Sequence, residues 1–392
     1  MPGAKKFAPK RLSFALGFFT KGFTIMKKYD VAAIVWPSYT GDEPRARIFW
    51  PEGYGEWQTV KACQPKFEGH KWPRKPLWGY VNEADPFVME MQIEAAVSHG
   101  VNTFIYDWYW YDNQPFLEQC LDNGFLKARN NHKMKFYIMW ANHTANTLWD
   151  TRTADDLFTV WDGAVNREIF NNIVHRTIEK YFKHPSYYKI DGKPVYMLFD
   201  LENLVRGLGG VEETWRALDY FREETVKAGF PGLELHLTIR SREYMATMLD
   251  DKTDILTFIN KTGFDGVTHY QYYDFAKYNK PYTEILEHVK EEWAYIKENI
   301  NAIYYPHVSV GWDANPRYKR LHPRLYTENT PENVQKGFEL AKAYVDEGNG
   351  LKAPLIVVNA WNEWTEGSYL EPDDLNGYGY LKAIKKVFID NE

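Results

Sequence analysis

The chain has 392 residues, 44% hydrophobic and 17% aromatic, with 15 Trp, 28 Tyr and 23 Phe; it can build a large core and is too apolar for disorder. A formal net charge of −6 without a long basic run excludes a surface made for a nucleic-acid backbone, and no stretch reaches the roughly 18 uncharged apolar residues of a membrane helix. Two cysteines, Cys63 and Cys120, form neither a disulfide framework nor a CxxC zinc site.

Residues 1–25 read apart from the rest. Lys5, Lys6, Lys10 and Arg11 precede a short apolar run at 12–19, the outline of a secretory signal. Lys21 interrupts the run and no small-residue cleavage pattern follows, so the segment reads as a disordered extension ahead of Met26. Residues 26–392 read as one domain. Cytoplasmic and periplasmic locations both stay open, as does the oligomeric state.

From residue 30 onward, two kinds of segment alternate. Apolar, β-branched or aromatic runs of strand length fall at 31–36, 101–110, 135–142, 194–200, 233–240, 265–270, 303–312 and 355–364. Several are almost continuously apolar, as strands covered on both faces should be. Helical spacing follows each of the eight runs, giving helices near 87–100, 116–128, 168–182, 213–228, 242–250, 282–298, 331–347 and 378–388. Thr330-Pro331 supplies a capping hydroxyl and a proline in the first helical position. Eight strand–helix pairs predict an α/β fold of the (β/α)8 TIM barrel type, with an enlarged, turn-rich loop insertion after strand one at 37–85. A doubly wound open sheet would favour a glycine-rich turn after the first strand, and Trp36-Pro37-Ser38-Tyr39 is unlike one.

In a (β/α)8 barrel the functional groups gather at the carboxyl ends of the strands. In chain order those ends carry Trp36; Asp107, Trp108 and Trp110; Trp140, Asn142 and His143; Asp200; Arg240; His269 and Tyr270; Trp312 and Asp313; and Asn362, Glu363, Trp364 and Glu366. Aromatic faces beside carboxylates suit a sugar, whose C–H faces pack on indoles while its hydroxyls seek polar partners. Glycosidic cleavage needs two carboxyl groups with opposite duties, and Glu363 with Glu366 is the natural pair; indole walls would raise their pKa values toward the range of a general acid.

Each of these residues also has a structural reading. The two glutamates could belong to a solvated turn, Asp107 could be a buried hydrogen-bonded carboxylate, and His143 and His269 divide evenly between site and scaffold. Asp200 and Arg240 could form an ion pair across neighbouring strands, and the tryptophans divide between core and stacking platform. No His-x-His strand end, HExxH, Walker A or GxSxG motif is present, and the chemistry requires neither metal nor organic cofactor.

Gly55-Glu56-Trp57, Pro65-Lys66-Phe67-Glu68-Gly69-His70, Asp107-Trp108-Tyr109-Trp110, Trp140-Ala141-Asn142-His143 and above all Trp361-Asn362-Glu363-Trp364-Thr365-Glu366-Gly367 with Glu371-Pro372 resemble the glycoside hydrolase family 99-like proteins, including the WbsX-type proteins of bacterial polysaccharide loci. The resemblance runs from about residue 29 to 388. It implies a (β/α)8 barrel acting on α-linked sugars, with endo-acting α-mannosidases as the characterised relatives. It further implies that Glu363 assists attack by the substrate's own 2-hydroxyl, forming a 1,2-anhydro sugar, while Glu366 serves as general acid and then base, with net retention. The remaining strand-end residues would hold an oligosaccharide or polysaccharide. Two rivals stand beside this hydrolase: a WbsX-type glycosyltransferase using the same mouth, and a sugar-binding barrel without catalysis. Against the transferase, the acidic pairs Asp250-Asp251 and Asp373-Asp374 are adjacent rather than spaced as D-x-D, and few mouth positions are basic.

Overall fold

The computed structural model describes residues 29–153 and 156–390; the extension expected at 1–25 lies outside them. Eight parallel strands line the barrel: β1 (Asp30–Val35), β2 (Val101–Tyr111), β3 (Lys135–Trp140), β4 (Lys193–Leu198), β5 (Glu234–Ile239), β6 (Gly266–His269), β7 in two pieces (Ile303–Tyr304 and His307–Ser309) and β8 (Leu355–Asn359). Each pairs with its sequence neighbours, and β1 pairs with β8. Closure falls to β7. Its first piece pairs with β6 and its second with β8, across a break at Pro306, which has no N–H to continue a ladder. Tyr305 N–H donates to Val267 O at 2.9 Å and Val357 N–H to Pro306 O at 3.0 Å, so the ring closes through the break.

The outer layer holds α1 (Pro86–Ser98), α2 (Arg167–Thr177), α3 (Val211–Lys227), α4 (Ile255–Thr262), α5 (Tyr282–Asn299), α6 (Pro331–Asp346) and α7 (Gly379–Phe388). Asp85 caps α1 by accepting from Phe87 N–H, with Pro86 in the first turn, and Thr330 and Pro331 open α6 the same way. Two expected helices differ. The segment at 116–128 first turns back as an antiparallel strand on β2 (Gln114–Phe116), and only one π-helical turn follows (Cys120–Phe125). The helix expected at 242–250 ends after Arg242–Met245, and α4 takes its place between β5 and β6. The last expected strand, 355–364, stops at Asn359; Asn362–Glu363 then form a short hairpin with Ser368–Tyr369.

A second buried cluster sits over the barrel mouth. The insertion after β1 and the loop after β3 bring Trp36, Tyr39, Trp50, Trp57, Tyr109, Trp149, Trp364 and Tyr369 together. Gly55 allows the insertion to fold tightly: its φ is +65°, and a Cβ there would lie 1.8 Å from Ser38 O. That turn delivers the next residue, Glu56, to the floor of the mouth.

Candidate active site

The floor is organised by Arg317, buried on a 3-10 turn (Asn315–Arg317) in the loop after β7. Its fork reaches three carboxylates: Nε donates to Glu56 Oε1 at 3.1 Å, Nη1 to Glu366 Oε1 at 2.6 Å and Nη2 to Glu363 Oε2 at 3.4 Å. Glu56 also accepts from Trp36 Nε1, Thr365 Oγ1 and Ser38 Oγ, and so stands as the guanidinium's fixed counter-charge. Asp313 braces this loop. It accepts from Asn315 N–H and Nδ2, from Trp72 Nε1 and from the His70 ring, while its own N–H donates to Glu366 O at 2.6 Å.

Glu363 lies on the short hairpin after β8 and Glu366 on the following 3-10 turn (Trp364–Glu366), which ends at Gly367 with φ +64°. Tyr270, at the end of β6, donates to Glu363 Oε1 at 3.1 Å. Glu366 Oε2 is buried without a protein partner, and so is Asp107 Oδ1. Burial and the neighbouring Glu366 charge push the Glu363 carboxyl well up, with Arg317 opposing. Burial also raises Glu366, against the pull of Arg317, and burial plus the Glu366 charge raises Asp107 well above the carboxylate range. Burial lowers the pKa of His143, which is therefore neutral at the rim.

These groups open into a cavity of about 240 Å³. Of the strand-end residues singled out in the sequence, Trp36, Asp107, His143, Arg240, Tyr270, Glu363 and Glu366 line it. Trp149, Leu148 and Phe199 form much of its apolar wall. Arg240 is held at 3.2 Å by Asp200, the cross-strand ion pair that the sequence offered as the alternative.

The remaining strand-end residues do not line the cavity, for identifiable reasons. Strand alternation turns Asp107 and Tyr109 inward and Trp108 and Trp110 outward, where Trp108 Nε1 donates to Glu118, itself bound by Arg176 of α2. Trp140 likewise packs on Phe170 of α2. The Asn142 amide ties β3 to β4 by exchanging hydrogen bonds with the Asp200 backbone at 2.7 and 2.8 Å, and Asp200 caps the helix Leu201–Leu208. His269 is buried against Phe275 and bonded to Tyr304, its pKa lowered to about 3 by burial. Asp313 serves the loop as described, and Trp312 stacks on Tyr273 at 4.2 Å and 16°. Asn362 bridges both backbone groups of Trp36, and Trp364 stacks on Tyr369 at 3.9 Å.

Sequence reasoning missed Arg317, Trp149, Leu148 and Phe199, and gave Glu56 no role. The Gly55-Glu56-Trp57 string was the only signal among these, and it marked a position rather than a duty. Among the described residues, no group of three or more His, Cys, Asp or Glu side chains is arranged to hold a metal ion.

Comparison with solved structures finds the same barrel elsewhere. The GH99 endo-α-mannosidase from Bacteroides thetaiotaomicron aligns with a TM-score of 0.57 at 15% identity, covering 92% of this chain and 96% of that one. A glycoside hydrolase-like protein aligns with a TM-score of 0.60 at 16% identity, covering 93% and 95%. Uncharacterised WxcX proteins from two strains of Xanthomonas campestris pv. campestris are 26% identical over 357 residues, 88% of this chain and 47% of theirs. The chain thus spans about half the length of the curated relatives it matches. The family model described as Glycosyltransferase WbsX matches residues 32–384, nearly the whole barrel with its cap, and the chain belongs to that family.

Proposed function

We propose that the protein is a glycoside hydrolase that cleaves α-linked sugars in a polysaccharide or glycan with retention of configuration. One observation carries this reading: two buried carboxyls, Glu363 and Glu366, meet at one cavity under a shared guanidinium, and one Glu366 oxygen has no protein partner. Arg317 holds Glu366 Oε1, so Oε2 is the oxygen free to carry a proton to the leaving glycosidic oxygen. In the free protein the pair's proton favours Glu363, so the reaction runs through the arrangement in which that proton sits on Glu366. The ionised Glu363, steadied by Tyr270, then takes the proton of the substrate's 2-hydroxyl as that oxygen attacks the anomeric carbon and the glycosidic bond breaks. Water then opens the 1,2-anhydro sugar, giving its proton to Glu366 while Glu363 returns one to the 2-oxygen. Each glutamate ends as it began. Asp107 Oδ1, also unpartnered, reads a sugar hydroxyl, and Trp36 and Trp149 pack against the ring.

The family's description favours a second reading, transfer from a nucleotide sugar. Its pyrophosphate would need positive charge, and both guanidiniums lining the cavity, Arg240 and Arg317, are already bound to carboxylates. The test is a panel of α-linked glycans, mannosides included, incubated with the protein and followed by NMR. Release of a reducing sugar with its α configuration retained is the expected result. Turnover of nucleotide sugars with no glycan hydrolysis would establish the transferase instead, and binding without turnover would establish a sugar-binding barrel.

A further inference from the structure

Behind the candidate catalytic strand end lies a second pair of acids, Glu83 and Glu371, both buried and both held by the one amide nitrogen of Gln92. All four of their oxygens receive an N–H. Gln92 Nε2 of α1 donates to Glu83 Oε1 at 3.1 Å and to Glu371 Oε1 at 2.7 Å; Asn362 Nδ2 donates to Glu83 Oε2 at 2.8 Å; Trp364 Nε1 donates to Glu371 Oε2 at 2.7 Å. One oxygen of each carboxyl therefore lies around a single nitrogen, and two carboxyls so close in a buried place cannot both be ionised, so one proton stays between them. The titratable groups facing the pair are Cys120, 3.9 Å from Glu83, with Tyr106 of β2 and Tyr39 of the insertion. Burial pushes all three well above their ordinary values, so none supplies charge of either sign near neutrality. None of the pair's hydrogen-bond partners is a cation.

The residues the pair holds are the two that flank Glu363. The Asn362 amide links Glu83 to both backbone groups of Trp36, and Trp364 is pinned by Glu371. We propose that Glu83 and Glu371 are positioning residues that share one proton and, through Asn362 and Trp364, fix the backbone on both sides of Glu363. Loss of that proton leaves two negative charges in contact in a buried place, and the strand end must shift to separate them. Glu371, the third Glu of the segment from Asn362 to Pro372, thus has a mechanical duty distinct from those of Glu363 and Glu366. The functional half of this inference rests on the hydrolase reading of Glu363; the proton-sharing half does not.

Glu371→Gln places a permanent amide donor where the shared proton sits, and the test compares it with the wild type and with the double variant Glu83→Gln/Glu371→Gln. Melting temperatures are taken from about pH 6 to about pH 9. The wild type should lose several degrees across this range, Glu371→Gln should lose clearly fewer, and the double variant, with two amides and no acceptor pair, should melt lower at every pH. A wild-type profile as flat as that of Glu371→Gln, or a double variant as stable as the wild type, would overturn the shared proton. On an activated aryl α-glycoside, wild-type kcat should fall along the same limb with KM unchanged, and Glu371→Gln should remove that limb. Melting curves that behave as stated with an unmoved kcat profile would overturn the positioning role alone. Melting curves that behave as stated with no turnover of any glycoside would count against the hydrolase reading while leaving the proton in place.

Discussion

Arg317 carries more of the site than any other single side chain, because one guanidinium serves three carboxylates contributed by loops after β1 and β8. Removing it as Arg317→Met leaves Glu56, Glu363 and Glu366 buried without a cation. Such a loss costs about 3–5 kcal/mol. Urea denaturation should report it, and wild-type stability in Arg317→Met would contradict the clamp. Arg317→Lys keeps the charge but not the planar fork, so it should fall between the two. Asp107 tests the proposed sugar-binding side of the pocket. Its carboxyl is pushed well up by burial and by Glu366, so Asp107→Asn resembles the protonated form and should fold normally. Asp107→Ala, which removes the proposed hydrogen bond to a sugar hydroxyl altogether, should lose about 10-fold in kcat/KM, and Asp107→Asn, which keeps an acceptor and a donor, should lose less. An unchanged kcat/KM in Asp107→Ala would remove Asp107 from substrate binding.

The strands were readable because β1, β2, β3 and β8 are covered on both faces and therefore nearly continuously apolar. Where local pattern and tertiary structure part, the reading failed. The segment at 116–128 has helical spacing, yet β2 runs past the barrel rim to Tyr111 and its extra residues are paired by Gln114–Phe116 before a helix can begin. The direction of a strand-end side chain was legible only as alternation: fixing Asp107 inward also fixes Trp108 and Trp110 outward, a rule that composition alone cannot anchor to one face. Arg317 had no local signal, since its partners lie 46, 49 and 261 residues away. The insertion after β1 shows the same dependence on long-range contact. Gly55→Ala would force a Cβ onto Ser38 O at a left-handed backbone position and should cost more than about 1 kcal/mol, displacing Glu56 with it. A melting temperature equal to the wild type would show that the turn can relax around a methyl group.

For the whole molecule, the buried acids set two opposing pH limbs. Asp313 and Glu118 are held below the ordinary carboxylate range: burial opposes this, but hydrogen bonds from His70 and Asn315, and from Arg176, outweigh it. Their contribution is present above the unfolded-state pKa and is lost as pH falls through the lower folded value. Glu83, raised to about 7 by burial, works the other way; its contribution is complete below the unfolded value of 4.5 and is lost as pH rises through about 7. Glu363 and Asp107, also raised by burial, add to this alkaline limb. Maximum stability is therefore expected near pH 4.5, where both sets of contributions are in place, and urea midpoints should fall from there toward about pH 7. A midpoint still rising above pH 8 would mean that these carboxyls are ionised in the folded protein without penalty.

The central claim is that Glu366 gives a proton to the leaving oxygen while Glu363 works on the opposite side of the reaction. It is tested most directly by measuring kcat/KM for wild type, Glu366→Gln and Glu363→Gln on aryl α-glycosides whose leaving phenols span a wide range of acidity. Glu366→Gln should be spared on the most acidic phenols and fall steeply as the phenol becomes more basic, while Glu363→Gln is impaired on all of them alike. Equal losses for Glu366→Gln on every leaving group, or sparing of Glu363→Gln instead, would contradict the assignment.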